Sequence, residues 1–398
     1  MRNMREIARM VFVLFLVSAL LAPVGRCLAK EQEKPKESPS AASAEPYRVR
    51  PVYFVPRNRD PDPDYEAKFQ ATILLIREYF AYFMKQDGFQ RALFNLDLKP
   101  DGKPKIILER SRKDDISYLP KGSMTTWVGS AKIQKEMMQK YNGDKSVFLI
   151  IADIGWYDPN QKGEVAPWNG GRHVTADRGG FAFVGNPLPW MGKTKPEQVK
   201  IFADATEDKG TGPRQRGRNA SILLGGMAHE LGHALGAQHA RDDGDLMSSH
   251  WNFGAFFLKQ KGQRFVWQGD APILSRGECL LFNNSAFFRK PRKYDDHVRP
   301  ALKVELPKSV APGSTVKIKF TARDEDSGPA LLLVHFGGVT MHFEDLRGKG
   351  KEAIFTYELV PRKPLEAGTH RLSWALYDGA SNRLIGNKSF VVKGPSDR

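Results

Sequence analysis

Disulfide chemistry is almost absent from this sequence: its 398 residues hold two cysteines, Cys27 and Cys279. Cys27 lies inside an N-terminal segment with the marks of a cleaved leader, so a mature chain would keep one thiol and no internal bridge. An export signal without a bridge points to a bacterial secretion route rather than a eukaryotic one. Cys279 sits in an apolar stretch and reads as a buried small hydrophobe. A comfortable membrane span is also missing, because the long apolar run, Met10 to Val24, is too short. Arg2, Arg5 and Arg9 precede that run and the small-residue spacing Cys27-Leu28-Ala29 follows it, so residues 1–29 read as a signal peptide cleaved after Ala29. Arg26, immediately before Cys27, fits lipid attachment badly.

Acidic excess is lacking too. The formal net charge is +16, and the leader carries four arginines and one glutamate, leaving +13 on a mature chain. Such a basic exported protein should adhere to anionic surfaces: acidic polysaccharide, wall polymers or acidic protein. No helix-turn-helix, zinc-finger or stacking-platform motif accompanies the charge, which disfavours nucleic acid as a partner. The 41% of apolar residues supplies enough material for two domains or more.

Histidine is scarce as well, yet three of the nine fall within His229-Glu230-Leu231-Gly232-His233-Ala234-Leu235-Gly236-Ala237-Gln238-His239. On a helix, residues four apart share a face, so His229 and His233 project together. Glu230 is one step round the helix, at the edge of whatever that pair holds. Gly236 can take a left-handed backbone, which costs other residues roughly 1–2 kcal/mol. A turn there would bring His239 back toward the pair. Three neutral imidazoles and one open position make a catalytic Zn²⁺ site, and a neighbouring carboxylate could take a proton from the bound water. The blander alternative is a structural helix whose histidines satisfy core hydrogen bonds, and a degenerate non-catalytic zinc site is a third.

These residues resemble the metzincin superfamily of zinc metalloendopeptidases, whose long motif HExxHxxGxxH they match in full. Gluzincins fit poorly, because their third ligand is a distant Glu and they lack the Gly-x-x-His extension. Downstream, the interval from His239 to Met247, with Asp242, Gly244 and Leu246, looks most like the matrixin branch. The resemblance implies that Met247 is the Met-turn residue, packed beneath the ligands without coordinating. Astacin-like and serralysin-like members carry a metal-contacting Tyr two residues after that Met; Ser249 stands there, so no tyrosine switch is expected. Matrixin-type latency through a Pro-Arg-Cys-Gly propeptide is not expected either, since no such segment exists. The likeness is specific over about residues 217–251.

Along the chain, residues 30–46 have the composition of a disordered linker. Val52 to Val55 reads as a strand, and Phe69, Ile73, Ile76, Phe80 and Phe83 mark an amphipathic helix. Lys105 to Glu109 is a second strand, Ala131 to Tyr141 a second helix, and Val147 to Ala152 a strand buried on both faces. That alternation predicts right-handed crossovers and a mostly parallel twisted sheet, an α/β (α+β) catalytic domain over residues 47–290. Metzincin catalytic domains share this architecture; the helix between the strands is closer to the reprolysin branch.

Residues 155–195 read as loop-rich. Within them Phe181, Ala182, Phe183 and Val184 could form a short strand, which the resemblance assigns to the antiparallel cleft edge that pairs with substrate; an ordinary hairpin strand is the alternative. Asp177 and His173 lack the dense histidine cluster a second zinc would need. Lys209 to Arg218 reads as a basic loop ahead of an active-site helix beginning near Asn219 or Ser221. His250 and Trp251 fall where the family builds the pocket wall past the scissile bond, and are candidates for substrate contact. Ser275-Arg276-Gly277-Glu278 is a capping box opening a helix through about Phe288.

Residues 291–300 read as a linker. From Ala301 to about 394, alternating runs (Leu302–Leu306, Thr315–Thr321, Leu331–Phe336, Ala353–Leu359, His370–Tyr377 and Ser389–Val392) predict an immunoglobulin-like β-sandwich. Asp324-Glu325-Asp326 could hold Ca²⁺, but a solvated acidic turn is the simpler reading. The function expected is a secreted or periplasmic zinc endopeptidase acting on protein or peptide, with Glu230 as general base toward a zinc-activated water. A surface-binding adhesin with a vestigial zinc domain, and an amidase of cell-wall peptides, are the competing readings.

Overall fold

A computed structural model describes residues 47–89, 93–118, 127–141, 145–154, 156–158, 163–165, 170–175, 179–204, 213–262, 270–288, 298–361 and 363–394. The leader (1–29), the tether (30–46), Asp177 and most of the linker at 291–300 lie outside them. Among the described residues no helix is long and apolar enough to cross a membrane.

Strands β1 (Arg48–Val55), β2 (Ile107–Arg110) and β3 (Ser146–Ala152) alternate with helices α1 (Tyr65–Gln86) and α2 (Trp127–Lys140). A two-strand ribbon, β4 (Trp156–Asp158) with β5 (Gly163–Val165), precedes β6 (Gly170–Thr175) and β7 (Gly179–Gly185). The main sheet runs β2-β1-β3-β7-β6, parallel throughout except for β6, which is antiparallel at the rim. A run such as Ser146-Val-Phe-Leu-Ile-Ile-Ala152 is buried at every position because helices cover both faces. Val147, Leu149 and Ile151 enter the larger core, while Phe148, Ile150 and Ala152 enter the smaller one under Ile133 and Met137 of α2. Each such side chain contributes roughly 1.5–3 kcal/mol on burial.

The larger core is roofed by α1, α3 (Lys195–Ala203), α4 (Pro213–Ala234), α5 (Phe253–Gln260) and α6 (Arg276–Asn284). Two of these depart from the sequence reading. Helix α4 begins at Pro213, six residues before Asn219, because proline is preadapted to a first helical turn where its missing N–H costs nothing. Phe253 opens α5, whose Phe253, Phe256, Phe257 and Leu258 are all buried.

Phe181–Val184 requires a correction. They lie in β7, an interior strand parallel to β3 and covered on its other side by β6. Phe181 and Phe183 point into the smaller core, where Phe181 stacks on Phe148 at 5.5 Å, and Ala182 and Val184 point into the larger one. With both backbone edges and both faces occupied, these residues cannot pair with a peptide. Among the described strands the antiparallel edge of the sheet is β6, Gly170–Thr175.

Among the described residues beyond 300 every regular element is a strand: β9 (Ala301–Glu305), β10 (Ser309–Val310), β11 (Val316–Arg323), β12 (Pro329–Phe336), β13 (Val339–Asp345), β14 (Glu352–Leu359), β15 (Gly368–Asp378) and β16 (Arg383–Val392). Three strands, β14-β11-β9, pack over a larger sheet across a core containing Phe320, Leu332, Trp374 and Phe390. That larger sheet runs β10-β16-β15-β12-β13-β8, and its last member is β8, the dipeptide His239–Ala240 from the active-site segment. The two regions therefore share a sheet. They also share an apolar cluster, since Leu331, Leu333, Ala375 and Tyr377 belong to the same buried core as Met227, Leu231 and Leu281.

Candidate metal centre

Helix α4 presents His229 and His233 on one face and ends in a Schellman turn. Gly236 has φ +108°, Gly236 N–H donates to the His233 carbonyl at 3.0 Å, and Ala237 N–H donates to the Gly232 carbonyl at 2.9 Å. The reversal brings His239 back, so that His233 Nε2 lies 3.1 Å from His229 Nε2 and 3.3 Å from His239 Nε2. Among the described residues this triad is the one cluster of histidine, cysteine or carboxylate ligands suited to a metal.

Backbone carbonyls fix two of the rings. His229 Nδ1 donates to the Leu246 carbonyl at 2.8 Å and His233 Nδ1 to the Ala237 carbonyl at 2.9 Å. A carbonyl only accepts, so each Nδ1 carries the proton and each Nε2 presents its lone pair inward. Burial, and then neighbouring imidazole charge, hold His229 well below the ordinary histidine range and push His233 down to about 3. His239 is lowered by burial as well. The inward lone pairs of His229 and His233, with His239 Nε2 beside them, face one another across a short gap. A divalent cation satisfies such lone pairs, and three imidazoles suit zinc.

Glu230, the next residue on α4, is 8% exposed. Met247 is fully buried, its Sδ set against the α-carbon of Gly232, where an added Cβ would come within 2.5 Å. One helical stretch earlier, a Cβ on Gly225 would fall 1.9 Å from the His250 carbonyl. These two glycines, seven apart, let the segment 245–252 lie directly on α4. Ser221 completes the seam: its Oγ donates to the Trp251 carbonyl at 3.0 Å and accepts from Gly254 N–H at 2.9 Å.

His250 stands beside the triad, its ring 5.1 Å from that of His229 and stacked on Trp251 at 5.3 Å. Burial pushes it down to about 4, so the ring is neutral at ordinary pH. Trp251 is half exposed. Of the residues singled out in the sequence, the triad, Glu230, Met247, His250 and Trp251 gather in this region; Phe181–Val184 lie in β7, in the sheet that packs against α4. His335, although buried, belongs to the β region and bonds Thr340. The acidic turn is held by its own backbone, with Asp324 Oδ1 accepting from Ser327 N–H and Gly328 N–H.

The sequence reading missed the brace under the Met turn. Asp245 Oδ1 accepts from Met247 N–H at 2.7 Å, and Asp245 Oδ2 accepts from Ser275 N–H at 3.0 Å. Glu278 closes the capping box by accepting from Ser275 N–H at 3.0 Å, and its carboxyl is hydrogen-bonded to Asp245. Burial, then the Asp245 charge, raise Glu278 well above the carboxylate range, so it keeps its proton and donates to Asp245. Asp245 is raised by burial. A raised acid stabilises the fold fully below the unfolded value, about 4.3, and that contribution is lost as pH rises through the folded value. Glu278→Gln reproduces the neutral form. Between pH 5 and 8 the wild-type Tm should fall more than that of Glu278→Gln. Parallel Tm profiles from differential scanning calorimetry would refute the shared-proton brace.

No protein-family model matches the sequence, and no curated protein matches it. Solved structures do. Wild-type OgpA from Akkermansia muciniphila superposes with a TM-score of 0.55 at 19% identity, covering 87% of this chain and 92% of that one. A catalytically inactive OgpA in complex with an O-glycopeptide substrate, glycodrosocin, gives 0.56 at 18% identity, covering 91% and 96%. At that identity the likeness establishes the fold, and it spans both the helical and the β-rich regions.

Proposed function

We propose that the chain is an exported zinc-dependent endopeptidase of metzincin type, with residues 47–290 as its catalytic part and an immunoglobulin-like sandwich over 301–394. The observation that carries this reading is the convergence of three histidine Nε2 atoms, His233's lying 3.1 Å from His229's and 3.3 Å from His239's, with a buried glutamate one residue from the first. Zinc held by His229, His233 and His239 would supply Lewis acidity toward the scissile carbonyl and bring the pKa of water toward neutrality.

The remaining roles belong to the chain's own groups. Glu230 accepts the proton of the attacking water and returns it to the leaving amine. His250, neutral and adjacent to the triad, is placed to donate a hydrogen bond as charge develops on the carbonyl oxygen. Trp251 offers an exposed apolar surface for a substrate side chain. Among the described strands β6 is an edge of the sheet, and it can take an extended peptide as an added strand, which transfers to Gly170–Thr175 the role expected of Phe181–Val184. The O-glycopeptide complex of OgpA makes glycosylated peptides the substrate class to test first.

The test is a mass-spectrometric cleavage profile on a library of matched plain and O-glycosylated peptides, with and without a chelator. Internal peptide bonds should be cut, cutting should stop with chelator, and stoichiometric zinc should restore it. Chelator-resistant cleavage, or no cleavage of either set by zinc-loaded protein, would overturn the proposal.

A further inference from the structure

The third histidine lies outside the helix that carries the other two, and what holds it comes from the far end of the chain. Val339 pairs with His239 and Thr340 with Ala240 as neighbouring parallel strands. On its other flank the dipeptide is tied to the Met turn, with Ala240 N–H donating to the Met247 carbonyl at 3.3 Å. His239–Ala240 is thus clamped between the Met turn and β13.

The β13 side of the clamp is fixed in turn. Val339 directly follows a two-residue hairpin turn whose Gly337 and Gly338 have φ +61° and +80°, the signs a type I′ turn requires. His335 Nδ1 lies 3.1 Å from Thr340 Oγ1 beside a register shift at Val334/His335. Further along β13, Phe343 packs on the α-carbon of Gly277 in α6, so closely that a Cβ there would fall 2.5 Å from the ring. Asn284 at the end of α6 donates to the Asp378 carbonyl at 3.0 Å, and Ser381 donates to the Asn284 carbonyl.

We propose that the Gly337–Thr340 hairpin of the C-terminal β region positions the third metal ligand, so that zinc binding and the order of β13 are thermodynamically coupled. This rests on the metal reading of the triad. Val339 and Thr340 act through the backbone of His239 and are positioning residues. By linkage, a cation that needs His239 in register must also stabilise the strand that supplies the register.

The experiment uses the full chain and zinc alone. Hydrogen–deuterium exchange is followed in β13 and, as reference, in β11 of the opposite sheet, with and without saturating zinc. Exchange in Val339–Asp345 should slow at least tenfold more than in Val316–Arg323. In parallel, zinc affinity is measured by competition with a chromophoric chelator. Gly338→Val, which strains the turn, should weaken affinity tenfold or more. Phe320→Leu, which thins the core between the sheets, should lower Tm without moving affinity. Unchanged exchange in β13, or a folded Gly338→Val with affinity within twofold of wild type, overturns the proposal; if Gly338→Val does not fold, the exchange result decides alone. A wild-type chain that takes up no stoichiometric zinc fails at the earlier step, and removes the metal reading together with the coupling.

Discussion

Glu230→Gln should lower kcat by roughly 10²–10⁴-fold, the range contributed by a positioned general base, with zinc retained at the wild-type stoichiometry. The two halves of that expectation have separate origins. Retention follows from the donor set: the clustered ligand atoms belong to His229, His233 and His239, and Glu230 is not in that cluster. Loss of turnover follows from chemistry, because glutamine has the shape of glutamate but cannot accept a proton from water. The substitution also leaves the packing of α4 intact, since Glu230 is buried at its place on the helix and glutamine fills the same volume. KM should change little, as the variant removes an interaction made only in the transition state. Steady-state kinetics beside metal analysis settle the point. A variant cutting at the parental rate would exclude Glu230 as base. A variant that also lost zinc would make it a structural support of the site.

The site was more legible in the sequence than its surroundings, for a physical reason. Helix periodicity and a left-handed glycine are local constraints, so His229, His233, Gly236 and His239 declare their geometry within eleven residues. The parallel sheet was legible for a similar reason, because strands buried on both faces are continuous apolar runs such as 147–152. Missed elements fall into two kinds. Some carried signals that went unread: Thr194 caps α3 by accepting from Glu197 N–H at 3.3 Å, with proline in the first turn, and Gly337-Gly338 marks the hairpin into β13. Others carried none. Helix α5 is apolar on nearly every side, so no 3.6-residue period stands out, and Gly254 within it is explained only by the ring of Phe202 packed against it.

The misplacement of Phe181–Val184 belongs to the second kind. A four-residue apolar run between glycines is compatible with an edge strand or an interior one. The deciding fact, that β6 covers its outer side, depends on pairing by a segment with no apolar pattern of its own. Strand β8 is the extreme case. Two residues that seemed to serve only the metal motif are also the last strand of a sheet built nearly a hundred residues later, and no local pattern announces such a partner.

Zinc itself should raise the Tm of the wild-type chain by about 8–16 °C at a free concentration a thousand times Kd, whereas His233→Ala should show an increment below about 2 °C and no detectable cleavage. Ligand binding to the native state stabilises by RT ln(1 + [L]/Kd), about 4.1 kcal/mol at that ratio. Each kcal/mol moves Tm by about 2–4 °C for a unit of 150–250 residues. His233 is the ligand to remove because its Nε2 is the atom common to both short contacts, 3.1 Å to His229 and 3.3 Å to His239. Alanine also deletes the Nδ1 bond to the Ala237 carbonyl at the helix end, so the metal-free variant will melt lower than the metal-free wild type. That drop does not distinguish a ligand from a structural histidine. The zinc-dependent increment does, because a purely structural loss lowers both melting temperatures and leaves their difference standing. Calorimetry with matched zinc and chelator buffers reads that difference directly, and a His233→Ala chain that keeps the wild-type increment would show that the triad is not where zinc binds.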